Sequence, residues 1–219
     1  MNGLRVLVCP LDWGLGHATR CVPVVRSLLD AGHQVWLGVS GFAMSALLRE
    51  EFPSLEQIEL PAYDIRYPTR GWQMPWWLLR KIPKLAQVMR AEQKVVRDIV
   101  RSRDIQVLIS DNRFGCWDHA AFCVYITHQV RIAFPGLLSC FEWLGVRVHF
   151  WLYRHFQRIW IPDLAHYPGL AGKLSHENTS LPVDWVGPLS RLRPSDSVEP
   201  LEVLAIVSGP EPHRTAFED

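Results

Sequence analysis

Gly14-Leu15-Gly16-His17-Ala18-Thr19-Arg20 joins a short apolar run to a segment of helical periodicity, and it is the stretch whose residue types can do chemistry. Glycines at 14 and 16 let the backbone approach a ligand closely, and the helix start behind them favours negative charge. His17 brings an imidazole to the same place. Such a ring ordinarily titrates near ~6.5, which makes it a usable general base at neutral pH. Two readings of His17 stand side by side: a capping or surface histidine, or a base. The letters exclude two other chemistries. A dinucleotide fingerprint wants a third glycine where Thr19 stands and an acid after the second strand, where Ser40-Gly41 stands. A phosphate-binding P-loop needs Gly-Lys-Ser/Thr, which is absent.

The elements that hold this loop can be read from periodicity. Leu4 to Cys9 is a continuous apolar run suited to a strand buried on both faces. Ala18, Cys21, Val22, Val25, Leu28 and Leu29 have helical spacing, with Gly32 as the C-terminal cap. Pro23 is tolerable in that helix if it begins near Thr19, so that the missing hydrogen bond falls in the first turn. Gln34 to Val39 closes a β-α-β unit. Phe42 to Phe52 then reads as helix, Glu56 to Leu60 as strand, and Trp72 to Arg103 as helix broken or kinked near Pro83. Ile105 to Ser110 and Phe122 to Thr127 read as strands, Leu137 to Gln157 as helix, and Arg158 to Ile161 as a brief strand. This alternation predicts an α/β fold, a Rossmann-like parallel sheet with helices on both faces. Ser110-Asp111-Asn112-Arg113 and Thr127-His128-Gln129 end two of its strands and fall on the same carboxyl edge as His17, where open α/β sheets bind ligands. Asp111 reads either as the cap of a following helix or as a partner for His17. His128 reads either as a satisfied histidine or as part of the site.

Composition narrows the class. With 219 residues, a net charge of +1 and 48% hydrophobic residues, the chain reads as an ordinary globular protein with no general reason to bind nucleic acid. No apolar run is long enough to cross a bilayer, and the amino terminus lacks a signal-peptide pattern. The five cysteines lack CxxC spacing, so buried reduced thiols are expected, with no metal site and a cytoplasmic location. Residues 1–186 are expected to form one domain, 187–200 an interdomain linker rich in Pro and Ser, and 201–219 the start of a truncated second domain. That last piece holds one strand and half a helix, too little for a core of its own.

Gly14-Leu15-Gly16-His17-Ala18-Thr19-Arg20-Cys21-Val22-Pro23, followed by Leu28-Leu29-Asp30-Ala31-Gly32-His33-Gln34-Val35, resembles the opening of glycosyltransferases with two Rossmann-like domains, the GT-B fold. The likeness is to family 28, which includes the peptidoglycan lipid-intermediate N-acetylglucosaminyltransferase. That enzyme's loop reads Gly-Gly-His where Leu15-Gly16-His17 stands here. Its His-Glu-Gln-Asn stretch is only partly matched by Thr127-His128-Gln129. The resemblance implies metal-independent, inverting transfer from a nucleotide sugar, UDP-linked, to a hydroxyl of a glycan or lipid-linked acceptor, without a cofactor.

It also implies roles. His17 would be the base and Asp111 its orienting partner, and Gly14, Gly16, Thr19, Asn112, Arg113, His128 and Gln129 would meet the acceptor. Ser208, Gly209, Glu211 and Arg214 would meet the donor diphosphate. Trp72, Trp76 and Trp77 precede a basic helix (Arg80, Lys81, Lys84, Arg90, Lys94, Arg97, Arg101; acids only Glu92 and Asp98) with an apolar stripe of Leu78, Ile82, Leu85, Met89 and Val96. A solvated helix face is one reading; contact with anionic lipid is another, extended by Trp143, Trp151 and Tyr153. Two rivals remain at this stage: a sugar-nucleotide epimerase on the same plan, and a non-catalytic, membrane-recruiting subunit that supplies the acceptor side to a separate donor-binding chain.

Overall fold

The computed structural model describes residues 3–63, 74–128, 147, 150–176 and 181–193, with residues 74–79 and Lys173 described by their backbone alone. Seven strands form one sheet: β1 (Arg5–Pro10), β2 (Gln34–Val39), β3 (Gln57–Glu59), β4 (Val107–Asp111), β5 (Phe122–Ile126), β6 (Arg158–Ile161) and β7 (Val183–Trp185). Their order is β3-β2-β1-β4-β5-β6-β7, and every neighbouring pair is parallel. Helices α1 (Leu15–Asp30), α2 (Phe42–Glu51) and α3 (Met74–Arg103) alternate with the first strands. The chain steps outward from β1 through β2 to β3, then returns to place β4 on the other side of β1. That reversal opens a crevice at the carboxyl ends of β1 and β4.

Both faces of the sheet are dry because β1 alternates between them. Val6 and Val8 pack with Cys21, Val22 and Val25 of α1 and Met44 and Leu48 of α2. Leu7 and Cys9 face the opposite layer, with Val96, Ile99 and Val100 of α3 and with Tyr125, Tyr153 and Phe156. A run such as Val6-Leu7-Val8-Cys9 can be continuously apolar only where both faces are covered. Cys9, Cys21, Cys116 and Cys123 are buried and free, as the thiol reading expected, and Cys140 lies outside the described residues.

The structure corrects three boundaries. Helix α1 starts at Leu15, not Thr19, so Pro23 sits in its interior. A mid-helix proline costs about ~3 kcal/mol. Burial of Cys21, Val22, Val24 and Val25 around it holds the helix together regardless. Helix α3 continues through Pro83. No helix follows β4; residues 112–121 are turns, which removes the reading of Asp111 as a helix cap. The C-terminal cap of α1 is as read: Gly32 has φ 78°, its N–H donates to Leu29 O, and His33 N–H donates to Leu28 O. The short β7 went unread, since three residues beside Pro182 carry almost no periodicity. Of the expected linker, residues 187–193 are described. Arg191 Nη1 reaches Glu51 Oε1 at 3.0 Å and Arg26 Nη1 donates to Arg191 O at 3.1 Å, so this piece lies along α1 and α2. Residues 201–219 lie outside the described residues.

Candidate functional site

β1 and β4 are paired in register through Pro10 opposite Asp111, so the loop after β1 and the end of β4 meet at the crevice. Gly14 turns the chain there with φ 78°, a left-handed value that favours glycine, and α1 begins at the next residue. Gly14, at the N-cap, has no side chain with which to satisfy the first amide N–H groups of α1. A Cβ on Gly16 would meet nothing within 4 Å. Packing therefore does not explain glycine at 16.

His17 occupies the first turn of α1, with its side chain 14% exposed, and its Nδ1 lies 3.1 Å from Oδ2 of the fully buried Asp111. Asp111 has more partners than this. Arg20, one turn along α1, donates from Nε to Oδ2 at 2.7 Å and from Nη2 to Oδ1. The thiol of Cys21 donates to Oδ2 at 3.7 Å. Arg20 Nη2 also lies 2.8 Å from His17 Nδ1, and its Nη1 lies 3.3 Å from Nδ1 of the exposed His128. Partial desolvation lowers the pKa of His128, and the Arg20 cation and the neighbouring His17 ring lower it further, more than Asp111 raises it. Burial also pushes the Cys21 thiol well up, aided by the charge of Asp111. A largely buried imidazole thus sits at the carboxyl edge of the sheet with a buried carboxylate against it, a geometry that can orient a base and stabilise its cation.

The same fold occurs in solved glycosyltransferases. Superposition on SnogD from Streptomyces nogalater gives a TM-score of 0.55 at 14% identity, covering 98% of this chain and 62% of that one. UGT2 of Phytolacca americana, solved with UDP-2-fluoro-glucose and pterostilbene, gives 0.53 at 14% identity, covering 90% and 56%. A UDP-glucosyltransferase from Polygonum tinctorium gives 0.53 at 13%, covering 85% and 53%. The chain has the Rossmann-like fold of GT-B glycosyltransferases. It spans little more than half the length of these structures. No protein-family model and no curated protein matches it, so the likeness to family 28 rests on the sequence motifs alone.

Within this GT-B-type domain the other sequence-read residues fall differently. Thr19 donates its hydroxyl hydrogen back to Gly16 O at 3.0 Å. Asn112 sits half-buried at the end of β4 with φ 56°, its N–H donating to Ile126 O. Arg113, read as an acceptor contact, is corrected: its side chain is fully buried and paired with Glu92, so it has no surface to offer an acceptor. Its Nε donates to Glu92 Oε1 at 2.5 Å, Nη1 to Pro10 O and Ser40 Oγ, and Nη2 to Pro61 O at 2.6 Å. Gln129, Ser208, Gly209, Glu211 and Arg214 lie outside the described residues. Among the described residues no group of three or more His, Cys, Asp or Glu could hold a metal ion.

The sequence reading missed two residues that matter here. Arg20 lies at i+3 from His17, a spacing that puts both on one helix face and could have revealed the pair. Glu92 was counted as one of two acids in a basic helix, yet it is fully buried, accepting from Tyr63 OH at 2.7 Å and Gly115 N at 3.0 Å as well as from Arg113. Its spacing from Leu85, Met89 and Val96 places it on the inward stripe, and an acid there needs a partner. Ile82, read on that stripe, is 51% exposed instead. Arg80, Lys84, Arg90, Lys94, Arg97 and Arg101 do face solvent. Tyr153 does not extend an outer surface; it is buried, 5.1 Å from the Tyr125 ring. Trp151 is exposed, with Arg154 over its ring. Trp72 and Trp143 lie outside the described residues, as do the side chains of Trp76 and Trp77.

A second buried carboxylate shapes the same edge beyond β6. Asp163 accepts from the backbone N–H of Leu164, Leu170 and Ala171 and from Ser175 Oγ. Burial alone would raise its pKa, but these hydrogen bonds outweigh that and hold it well below the usual carboxylate range. A carboxyl with a depressed folded pKa contributes stability above its unfolded value and loses it as pH falls. Replacing Asp163 by Ala leaves three part-buried backbone N–H groups and the buried Ser175 hydroxyl without this acceptor, and the expected cost is ~3 kcal/mol. Urea midpoints should show that loss at pH 7 and a shrinking gap between wild type and variant below about pH ~4. A constant gap down to pH ~2 would refute the assignment.

Proposed function

We propose that this chain forms the acceptor-side domain of a glycosyltransferase that uses a nucleotide sugar, with His17 as the general base. The observation that carries the reading is the imidazole of His17 at the crevice between β1 and β4, backed by buried Asp111 at 3.1 Å. In the working arrangement Nδ1–H donates to Asp111 and Nε2 is bare. Nε2 takes the proton of an acceptor hydroxyl as its oxygen attacks the anomeric carbon. The bond from that carbon to the diphosphate breaks, and the nucleotide diphosphate leaves with the electron pair. Asp111 stabilises the imidazolium by charge without taking its proton. Direct displacement inverts the anomeric centre and calls for no metal. We place the donor on residues beyond those described, with Ser208, Gly209, Glu211 and Arg214 as its first contacts, and UDP as its nucleotide. Gly14 and Gly16 give the acceptor close access to the backbone, with His128 alongside. The exposed basic face of α3 suits an acceptor held at an anionic lipid surface in the cytoplasm.

Acceptor-dependent release of nucleotide diphosphate is the direct test. The complete protein is incubated with UDP-sugars and glycan or lipid-linked acceptors, and products are read by mass spectrometry. Nucleotide release that needs no acceptor hydroxyl, or a product with retained configuration, would contradict the mechanism.

Gly16→Ala separates packing from contact. Alanine meets open space there and forms helix better than glycine, so the stability read from urea unfolding is expected to hold steady or to gain up to ~1 kcal/mol. Acceptor KM should rise several-fold, because the added methyl occupies the approach. An unchanged KM would remove Gly16 from the binding surface.

A further inference from the structure

Two polar atoms compete at one ring nitrogen. His17 Nδ1 lies 2.8 Å from Arg20 Nη2 and 3.1 Å from Asp111 Oδ2. A nitrogen of a neutral imidazole either donates or accepts. If Nδ1 carries the hydrogen, it donates to Asp111, and the Arg20 N–H beside it faces another donor. If Nδ1 is bare, it accepts from Arg20, and the proton resides on Nε2. The two contacts cannot both be favourable hydrogen bonds.

The surroundings favour the second arrangement. The Arg20 contact is the shorter, and a guanidinium has only hydrogens to offer. Asp111 does not need the imidazole: Oδ1 accepts from Arg20 Nη2, while Oδ2 accepts from Arg20 Nε at 2.7 Å and from the Cys21 thiol. Asp111 and Arg20 are thus already paired in a fork.

We propose that Arg20 holds His17 in the Nε2–H tautomer in the free protein, so that the ring cannot accept a proton until Nη2 withdraws. Arg20 is then a positioning residue. Once a small rotation that keeps Nε on Oδ2 moves Nη2 away, Nδ1 takes a proton from solvent and Nε2 gives its proton up to solvent, so that Nδ1–H donates to Asp111 and Nε2 is bare. On the outer side, His128 Nδ1 lies 3.3 Å from Nη1 and offers the guanidinium a second partner. The transferase reading enters only in naming which hydroxyl the bare Nε2 deprotonates; the tautomer belongs to the free chain.

The test is the proton's location, read by NMR on protein carrying ¹⁵N in its imidazole rings, above the pH at which imidazoles titrate and without substrate. The His17 signals are identified by their loss in His17→Gln. Wild type is expected to show hydrogen on Nε2 with Nδ1 bare. Arg20→Met removes the competing donor, and its His17 should carry the hydrogen on Nδ1. Hydrogen on Nδ1 in wild type overturns the proposal, whether or not the variant folds. An Nε2–H ring in folded Arg20→Met overturns it too. Because no substrate is present, these spectra stand or fall apart from sugar transfer.

Discussion

His17→Ala is expected to lower acceptor-dependent turnover by about ~10²–10⁴-fold, the range removed with a positioned general base. The loss should fall on kcat, because proton transfer belongs to the transition state more than to binding. The fold should survive. The side chain is partly exposed, alanine favours the helix that carries it, and the fork between Arg20 and buried Asp111 persists without the ring. A wild-type melting curve together with a collapsed rate is therefore the expected pair of results. Turnover within threefold of wild type would take the imidazole out of the chemistry. Asp111→Asn is a poorer probe, since it leaves the Arg20 cation half-shielded without its carboxylate.

Arg113→Met should produce the largest stability change. Both members of the pair with Glu92 are fully buried at 2.5 Å, and removing one leaves the other's charge without compensation. Such losses run to about ~3–5 kcal/mol. A domain's whole stability is about ~5–15 kcal/mol, so the variant is expected to lose a third or more of it. The urea midpoint should drop with little change in slope. Removing both charges in Arg113→Met with Glu92→Leu should recover part of this loss, because a buried pair contributes little net stability of its own. Recovery will be incomplete, since Pro10 O, Pro61 O and Gly115 N–H lose their partners as well. A cost under about ~1 kcal/mol for the single variant would mean that water reaches the pair. The effect extends to the site because Arg113 ties together the ends of β1 at Pro10, β2 at Ser40 and the chain past β3 at Pro61. Of these, the end of β1 leads directly into the loop that carries His17.

Much of the fold was legible because the signals that define it are local. The continuous apolar run of β1, the helical spacing from Ala18 to Leu29 and the Gly32 cap each lie within a few residues of chain, and each is where the structure has it to within a few positions. Gln34–Val39 and Arg158–Ile161 coincide with their strands at both ends. The carboxyl-edge placement of His17 and Asp111 followed from alternation alone, as strands that all run one way must end on one side. The start of α1 was misplaced because proline chemistry was weighed without the burial that overrides it at Pro23.

What the sequence by itself determined was most of the strands and the helices packed on β1 and β2, their parallel arrangement and the edge on which a glycine loop and an imidazole would stand. Only the tertiary structure decided which polar residues share that edge and which vanish inside. Arg113 and Asp111 are two positions apart, yet one is a strut within the core and the other backs the crevice, because Glu92 on a distant helix claims the guanidinium. Arg20 reached Asp111 across 91 positions in the same manner. Periodicity reports how a side chain faces its own element. The partner that satisfies a buried charge is chosen by whichever distant segment packs against it, and that information is not local.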